Sequence, residues 1–242
     1  MPSTRQITPQ ICRWHLFENA DELEQGVVAE IQRQARLAID TRNSFSIVLS
    51  GGTTPRRVYE ALRHIKTDWR SWHIYFGDER CLPTGDAERN SRMAAHAWLD
   101  HVDIPATQIH TIPAEKGAAV GSEEYARIVN KIAVFDLVLL GLGEDGHTAS
   151  LFPNHELGDQ PGAPAALAVH DAPKPPPQRV SLSARRLSAT RNVMFLITGK
   201  SKIHAVTDWR SQKPIPASVI TPENGVDVYI ESELIRTDPS TS

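Results

Sequence analysis

The stretch Val-Phe-Asp-Leu-Val-Leu-Leu-Gly-Leu-Gly-Glu-Asp-Gly-His-Thr, residues 134–148, joins the clearest strand signal of the sequence to a glycine-rich turn. Residues Val134 to Leu140 are apolar except for Asp136. An uninterrupted apolar run of this length is typical of a parallel strand that is covered on both faces. Ligands of open parallel sheets bind beyond the carboxyl ends of the strands, so residues 141–148 are the first place to look for function.

Short apolar runs and helical periodicities alternate along the rest of the chain. Strands are predicted at 45–49, 74–76, 165–169, 179–182, 193–198 and 226–230, and helices at 21–39, 90–98, 122–132 and 202–210. Thr54 is expected to cap a further helix with Pro55 at its first position. This alternation predicts an α/β fold: an open, mostly parallel, doubly wound (Rossmann-like) sheet with helices on both faces.

Length and composition limit the class of protein. A chain of 242 residues fits a single domain, 1–242, and a net charge of -3 opposes a nucleic-acid partner. No apolar run is long enough to span a membrane, and residues 1–6 are not followed by the apolar core of a secretory signal. We therefore expect a cytoplasmic protein without a membrane partner. The two cysteines are too few for a disulfide scaffold.

Six prolines lie between Pro161 and Pro177. The segment 158–178 is either an interdomain linker or a Pro-rich loop inside one domain. The remaining chain is short for an independent domain, so an internal loop is favoured. The last residues, 237–242, are expected to be frayed.

Three polar clusters follow predicted strands. The first, Ser-Gly-Gly-Thr-Thr-Pro at 50–55, combines glycines with a helix start, which suits one phosphate group. A plain turn between a strand and a helix would have the same composition. Gly-Asp-Glu-Arg at 77–80 is either a solvated charge run or the source of a forked cation, Arg80, for an anionic substrate. Arg179 and Lys202 are the other well-placed candidate cations.

The third cluster, residues 141–148, matches both the dinucleotide fingerprint and the P-loop pattern, except that His147 replaces the P-loop lysine. Glu144 and Asp145 would place negative charge where a pyrophosphate lies, and Pro153 would end a helix soon after its start. The loop is better suited to present Asp145 and His147. Histidine is the commonest general base, although most single histidines are structural. The sequence has neither a serine-elbow motif nor a metal-binding histidine spacing.

The combination of Ser-Gly-Gly-Thr-Thr-Pro (50–55), Gly-Asp-Glu-Arg (77–80), residues 141–153, residues 173–182 and Thr-Gly-Lys (198–200) resembles the glucosamine-6-phosphate isomerase/6-phosphogluconolactonase family, and within it the lactonases. The motifs occur in family order. Thr53 stands where the family usually has serine, which preserves a hydroxyl. Arg89, directly before Asn90, stands where serine is common, which affects only the detailed contacts of the loop around Arg89.

The resemblance implies hydrolysis of 6-phospho-D-glucono-1,5-lactone to 6-phospho-D-gluconate, the second step of the oxidative pentose phosphate pathway, with neither cofactor nor metal. It implies that His147 activates water, that Asp145 lies beside it, and that Arg80 faces the substrate or its oxyanion. The implied substrate and phosphate contacts are Gly51, Gly52, Thr53, Asp78, Arg179 and Lys202. The partner is a small sugar-phosphate lactone, and the protein is expected to be a monomer or small homo-oligomer.

Three alternatives remain open at this point. A glucosamine-6-phosphate deaminase/isomerase would resemble this chain, but that family has a carboxylate before the proline where this chain has Phe152. A non-catalytic sugar-phosphate sensor could share the architecture, yet it would not need His147. An NAD-dependent dehydrogenase is suggested only by Gly141, Gly143 and Gly146.

Overall fold

A computed structural model describes residues 10–236 of the chain. Two of the expectations above concern residues outside the described range. They are the absence of a secretory signal, which was judged from residues 1–6, and the frayed end at 237–242. Within 10–236, no helix is both long and apolar enough to cross a lipid bilayer.

The described residues form nine strands and seven α-helices. The strands are Cys12–Phe17 (β1), Phe45–Leu49 (β2), Trp72–Phe76 (β3), Asp78–Arg80 (β4), Phe135–Leu140 (β5), Ala166–Val169 (β6), Arg179–Leu182 (β7), Thr190–Ile197 (β8) and Val226–Glu231 (β9). The helices are Ala20–Arg42 (α1), Thr53–Leu62 (α2), Asn90–Ala97 (α3), Ala118–Val129 (α4), Ala184–Ser188 (α5), Ile203–Arg210 (α6) and Glu233–Arg236 (α7).

The main sheet has six parallel strands in the order β1-β9-β8-β5-β2-β3, flanked by helices. From β2 the chain moves outward to β3 on one side, and from β5 it continues through β8 and β9 on the other. The order of the strands therefore reverses between β2 and β5. Every residue of β5 is buried, as expected for a central strand covered on both faces. The predicted doubly wound α/β fold is confirmed.

Three of the strands form a separate antiparallel sheet in the order β4-β7-β6. The sequence predicted the segments of β6 and β7 as strands but placed them in the main sheet. Gly77 connects the two sheets: its N–H donates to the carbonyl of Leu49 at 2.8 Å, and its carbonyl accepts from the N–H of Leu182 at 2.7 Å. The small sheet consequently lies against the carboxyl ends of β2 and β3.

Two further features differ from the sequence-based expectations. Strand β1 was not predicted, because this edge strand is only half-buried and lacks an apolar run. The predicted capping role of Thr54 is wrong. Helix α2 begins at Thr53 with Gly52 as its N-cap at φ 107°, and the Thr54 hydroxyl instead pairs with that of Thr198 at 2.6 Å. Pro55 is accommodated at the third helical position because first-turn N–H groups have no intrahelical acceptor.

The Pro-rich segment 158–178 contains β6 and leads directly into β7. The chain beyond it supplies β7 to the small sheet, and β8 and β9 to the main sheet, where β8 pairs with β5. Strands from both sides of the segment thus share the same sheets, so the segment runs within one domain.

Asp136 is the polar residue in the otherwise apolar β5, and its carboxylate is fully engaged. It accepts from the guanidinium of Arg42 at 2.7 Å and from the N–H and hydroxyl of Ser46 at 2.8 and 2.9 Å. Arg191 lies 3.5 Å away on β8. The carboxylate therefore joins β5 to β2 and to the end of α1.

Replacing this carboxylate should destabilise the protein. We expect Asp136→Ala to lower the free energy of unfolding by about 2 kcal/mol, because buried donors to a charged group lose their acceptor. Urea-induced unfolding measures the change. The control is Asp208→Ala, which removes a carboxylate paired at the surface with Lys213 and should cost clearly less. Equal losses in the two variants would contradict the role of Asp136.

Candidate active site

A cavity of about 350 Å³ opens where the carboxyl ends of β2 and β5 separate. Its walls come from the segment after β2, from β4, from the loop after β5, from the end of the Pro-rich segment and from Lys202. The three polar clusters singled out in the sequence thus meet at one point. A larger cleft of about 500 Å³ lies near α5, but its lining includes neither a histidine nor a carboxylate.

His147 and Asp145 form a hydrogen-bonded pair in the loop after β5. Because an ionised carboxylate only accepts, Nδ1–H of His147 donates to Oδ1 of Asp145. The same oxygen accepts from the backbone N–H of His147 at 3.2 Å. Partial burial opposes ionisation of Asp145, but its contacts with His147 outweigh burial and lower the pKa of the carboxyl. Nε2 of His147 has no hydrogen-bond partner among residues 10–236 and is available as a base.

The glycines of this loop make room for the imidazole. A Cβ on Gly143 would lie 2.0 Å from Nδ1 of His147, and a Cβ on Gly146, at φ 81°, would lie 2.7 Å from Ile215. No helix begins between 141 and 157, whereas a dinucleotide fingerprint requires one directly after its glycines. Gly143 therefore makes room for the imidazole of His147, Gly146 lets the loop pack against Ile215, and the dinucleotide interpretation is not supported.

Phe152 packs against the other side of the site. Its fully buried ring lies with its centroid 4.8 Å from that of His147, and the guanidinium carbon of Arg179 is 5.7 Å from the ring centroid. An aromatic ring at this position contacts the base and one of the cations but carries no proton to transfer.

The predicted cations Arg80, Arg179 and Lys202 all line the cavity. Nη1 of Arg80 donates to the carbonyl of Glu88 at 2.6 Å, and its side chain remains one-third exposed. Burial lowers the pKa of Lys202, an effect that the charges of Glu144 and Asp145 partly offset. Arg179 is buried, and burial likewise lowers its pKa.

Asp78 also lines the cavity, as a buried carboxyl in a polar network. Its Oδ2 accepts from the hydroxyl of Ser150 at 2.6 Å, and its Oδ1 accepts from the amide of Asn90 at 3.1 Å. Burial raises the pKa of Asp78 despite these donors. The carboxyl thereby joins β4 to α3 and to the loop that carries His147.

The turn before α2 contributes backbone to the cavity. Gly51 and Gly52 line the cavity. Thr53 is exposed to solvent, and its side chain does not line the cavity. A Cβ on Gly51 would lie 2.0 Å from Oδ1 of Asn90, so glycine permits this close packing. The first N–H groups of α2 have no intrahelical acceptor and are available to an anion at this end of the helix.

Several residues that line the cavity were not named individually as site residues from the sequence, although most of them lie within the motifs discussed above. They are Ser50, Asn90, Leu142, Thr148, Ala149, Lys174 and Pro175. Asn90 gave no local signal, since its place depends on a buried contact between its backbone N–H and Glu79 at 2.7 Å. Lys174 did offer a signal, because it is a cation between two prolines in a segment that leads to Arg179. Within residues 10–236, no group of His, Cys, Asp and Glu is arranged to hold a metal ion.

Comparison with known proteins gives a consistent result. The model of the family "Glucosamine-6-phosphate isomerases/6-phosphogluconolactonase" matches residues 18–229. The chain is 39% identical to a 6-phosphogluconolactonase of Synechocystis over 70% of this chain and 72% of the relative. It is 32% identical to the human 6-phosphogluconolactonase over 87% of each chain. The crystal structure of 6-phosphogluconolactonase from Thermotoga maritima superposes with a TM-score of 0.85 at 28% identity, covering 92% of this chain and all of that one. The chain therefore belongs to the glucosamine-6-phosphate isomerase/6-phosphogluconolactonase family.

Proposed function

We propose that the protein hydrolyses 6-phospho-D-glucono-1,5-lactone to 6-phospho-D-gluconate. The observation that carries the proposal is the pairing of His147 with Asp145, which leaves Nε2 without a partner among the described residues in a cavity lined by cations. Curated relatives that match most of the chain are named 6-phosphogluconolactonase. The substrate carries a phosphate and an ester carbonyl, and the cavity offers a site for each.

In the proposed mechanism, His147 acts as a general base. Nε2 takes a proton from a water molecule as its oxygen forms a bond to C1 of the lactone, giving a tetrahedral oxyanion. The oxyanion then collapses, the bond between C1 and the ring oxygen breaks, and the imidazolium returns its proton to the departing oxygen. Asp145 holds the imidazole in the required tautomer and stabilises its charged form.

The developing oxyanion requires a positive or hydrogen-bond-donating neighbour. Arg80 supports this role because it lines the cavity and, within residues 10–236, Nη1 is the guanidinium nitrogen that is engaged, with the carbonyl of Glu88 at 2.6 Å and its carboxylate at 3.8 Å. A guanidinium placed before the reaction begins stabilises charge that appears only in the transition state. A lactone is an activated ester, so a general base together with such a cation suffices without a covalent nucleophile.

The phosphate would lie at the N-terminus of α2. Gly51 and Gly52 line the cavity at this end of the helix, and the first N–H groups of α2 have no intrahelical acceptor. Lys202 and Arg179 supply positive charge, and Asp78 supports the pocket through its network. The net charge of -3 is thus compatible with an anionic substrate, because cations are gathered locally.

The deaminase/isomerase alternative receives less support. That reaction would need a proton-transferring carboxylate where this chain has Phe152, whose ring is fully buried in a cluster with Val169 and Ala172. We further propose that the protein acts in the cytoplasm as a monomer or small homo-oligomer, with a small sugar-phosphate lactone as its partner and without a cofactor.

Removing the general base should abolish most of the catalysis. We expect His147→Ala to lower kcat about 10²–10⁴-fold after correction for spontaneous lactone opening. Asp145→Asn should lower kcat by a smaller factor, because the imidazole stays but loses its orienting charge. Purified protein is assayed by following acid release from the phosphorylated lactone.

His101→Ala provides the matched control, since this exposed histidine lies outside the cavity. It should keep the activity of the wild-type protein. Unchanged activity in His147→Ala would contradict the mechanism, and ammonia release from glucosamine 6-phosphate would instead support the deaminase.

Neutralising Lys202 should weaken recognition of the phosphate. We expect Lys202→Gln to raise KM for the phosphorylated lactone about 10-fold, the typical value of one charged hydrogen bond. KM for unphosphorylated gluconolactone should change little. Lys200→Gln serves as the control, because Lys200 pairs with Glu233 at 3.4 Å outside the cavity. Equal changes in KM for both lactones would remove Lys202 from the phosphate site.

A further inference from the structure

The guanidinium of Arg179 is largely occupied by the chain that precedes it. Nε donates to the carbonyl of Pro176 at 3.1 Å, and Nη2 donates to the carbonyls of Lys174 and Pro175 at 2.9 and 3.2 Å. Three consecutive carbonyls thus converge on one buried side chain. Only the planar fork of arginine presents donors in this arrangement, and the single ammonium of lysine does not.

Lys174 is the residue that this arrangement holds in place. It lies between Pro173 and Pro175, and the following proline restricts its backbone to extended conformations. Its backbone carbonyl is fixed by Arg179, while its side chain is exposed at the cavity. No salt bridge to Lys174 forms within the described part of the chain.

Lys174 and Lys202 lie close enough to affect each other. Burial is the largest cause of the lowered pKa of Lys202; the charge of Glu144 opposes it, and the positive charge of Lys174 lowers the pKa further. The two neighbouring ammonium groups repel each other, although the charges of Glu144 and Asp145 offset part of this effect at Lys202. Neither lysine forms a salt bridge within residues 10–236. A phosphate monoester, with nearly two negative charges at neutral pH, would relieve that repulsion.

We infer that Lys174 is a phosphate-binding residue of this site and that Arg179 is its positioning residue, because the buried guanidinium donates hydrogen bonds to the backbone carbonyls of Lys174 and the residues after it. The inference rests on the proposed function and refines it. Arg179 thus contributes to phosphate binding in part indirectly, by holding Lys174 in position.

The role of Lys174 is tested by Lys174→Gln, with Lys200→Gln as the matched exposed lysine. Lys174→Gln should raise KM for the phosphorylated lactone about 10-fold. It should change kcat, and KM for the unphosphorylated lactone, by less than about 2-fold. Lys200→Gln should leave all these constants unchanged. An unaltered KM in Lys174→Gln, or equal changes for both lactones, would overturn the assignment.

The positioning role is tested by Arg179→Lys, which keeps the charge and loses the fork. We expect KM for the phosphorylated lactone to rise nearly as much as in Arg179→Ala, while the melting temperature shows that the variant is folded. In the Arg179→Lys background, Lys174→Gln should add little. A wild-type KM in Arg179→Lys, or fully additive effects of the two substitutions, would overturn the positioning role.

Binding of inorganic phosphate separates this inference from the proposed function. Calorimetric titration should show weaker phosphate binding in Lys174→Gln than in Lys200→Gln, whether or not the protein hydrolyses the lactone. A wild-type protein without lactonase activity would overturn the proposed function alone. Equal phosphate affinity in the two variants would overturn the inference alone.

Discussion

The reversal of strand order between β2 and β5 is the constraint on which the site depends. The two strands are parallel neighbours, and the chain leaves their carboxyl ends towards opposite sides of the sheet. No connection can fill the space between them, so a crevice remains there. The N-terminus of α2 enters this crevice from one side, and the loop that carries His147 enters from the other. Topology alone thus brings together the N-terminus of α2, where we propose that the phosphate binds, and His147, the proposed base.

Buried polar contacts then fix the details that topology leaves free. Asp78 connects α3 with the loop of His147 through Asn90 and Ser150, while Glu79 accepts from the first N–H groups of α3. These groups are buried, so each would be costly without its partner. The small antiparallel sheet therefore serves as the rigid wall that brings Arg80 and Arg179 to the cavity.

Much of this arrangement could be predicted from the sequence. The features that could not be predicted depend on contacts between residues far apart in the chain or leave no side-chain signal. The apolar run of β5 and its glycine-rich turn indicated both the fold and the pair His147 and Asp145. Periodicity identified β6 and β7 but not β4, whose charged residues follow a predicted strand. It could not choose the partners of these strands, since pairing depends on Gly77 and other distant contacts. The helix start at Thr53 was misjudged because a glycine N-cap gives no side-chain signal. The place of Asn90 depends on tertiary hydrogen bonds that have no local pattern.

The central claim is that one crevice holds the phosphate at α2 and the reacting carbon at His147. A crystal structure of the protein with 6-phospho-D-gluconate tests it most directly. The account predicts the phosphate at the N-terminus of α2 beside Lys202, and a C1 carboxylate oxygen about 2.6–3.2 Å from Nε2 of His147. A phosphate bound outside the crevice, or a C1 carboxylate turned away from His147, would contradict it.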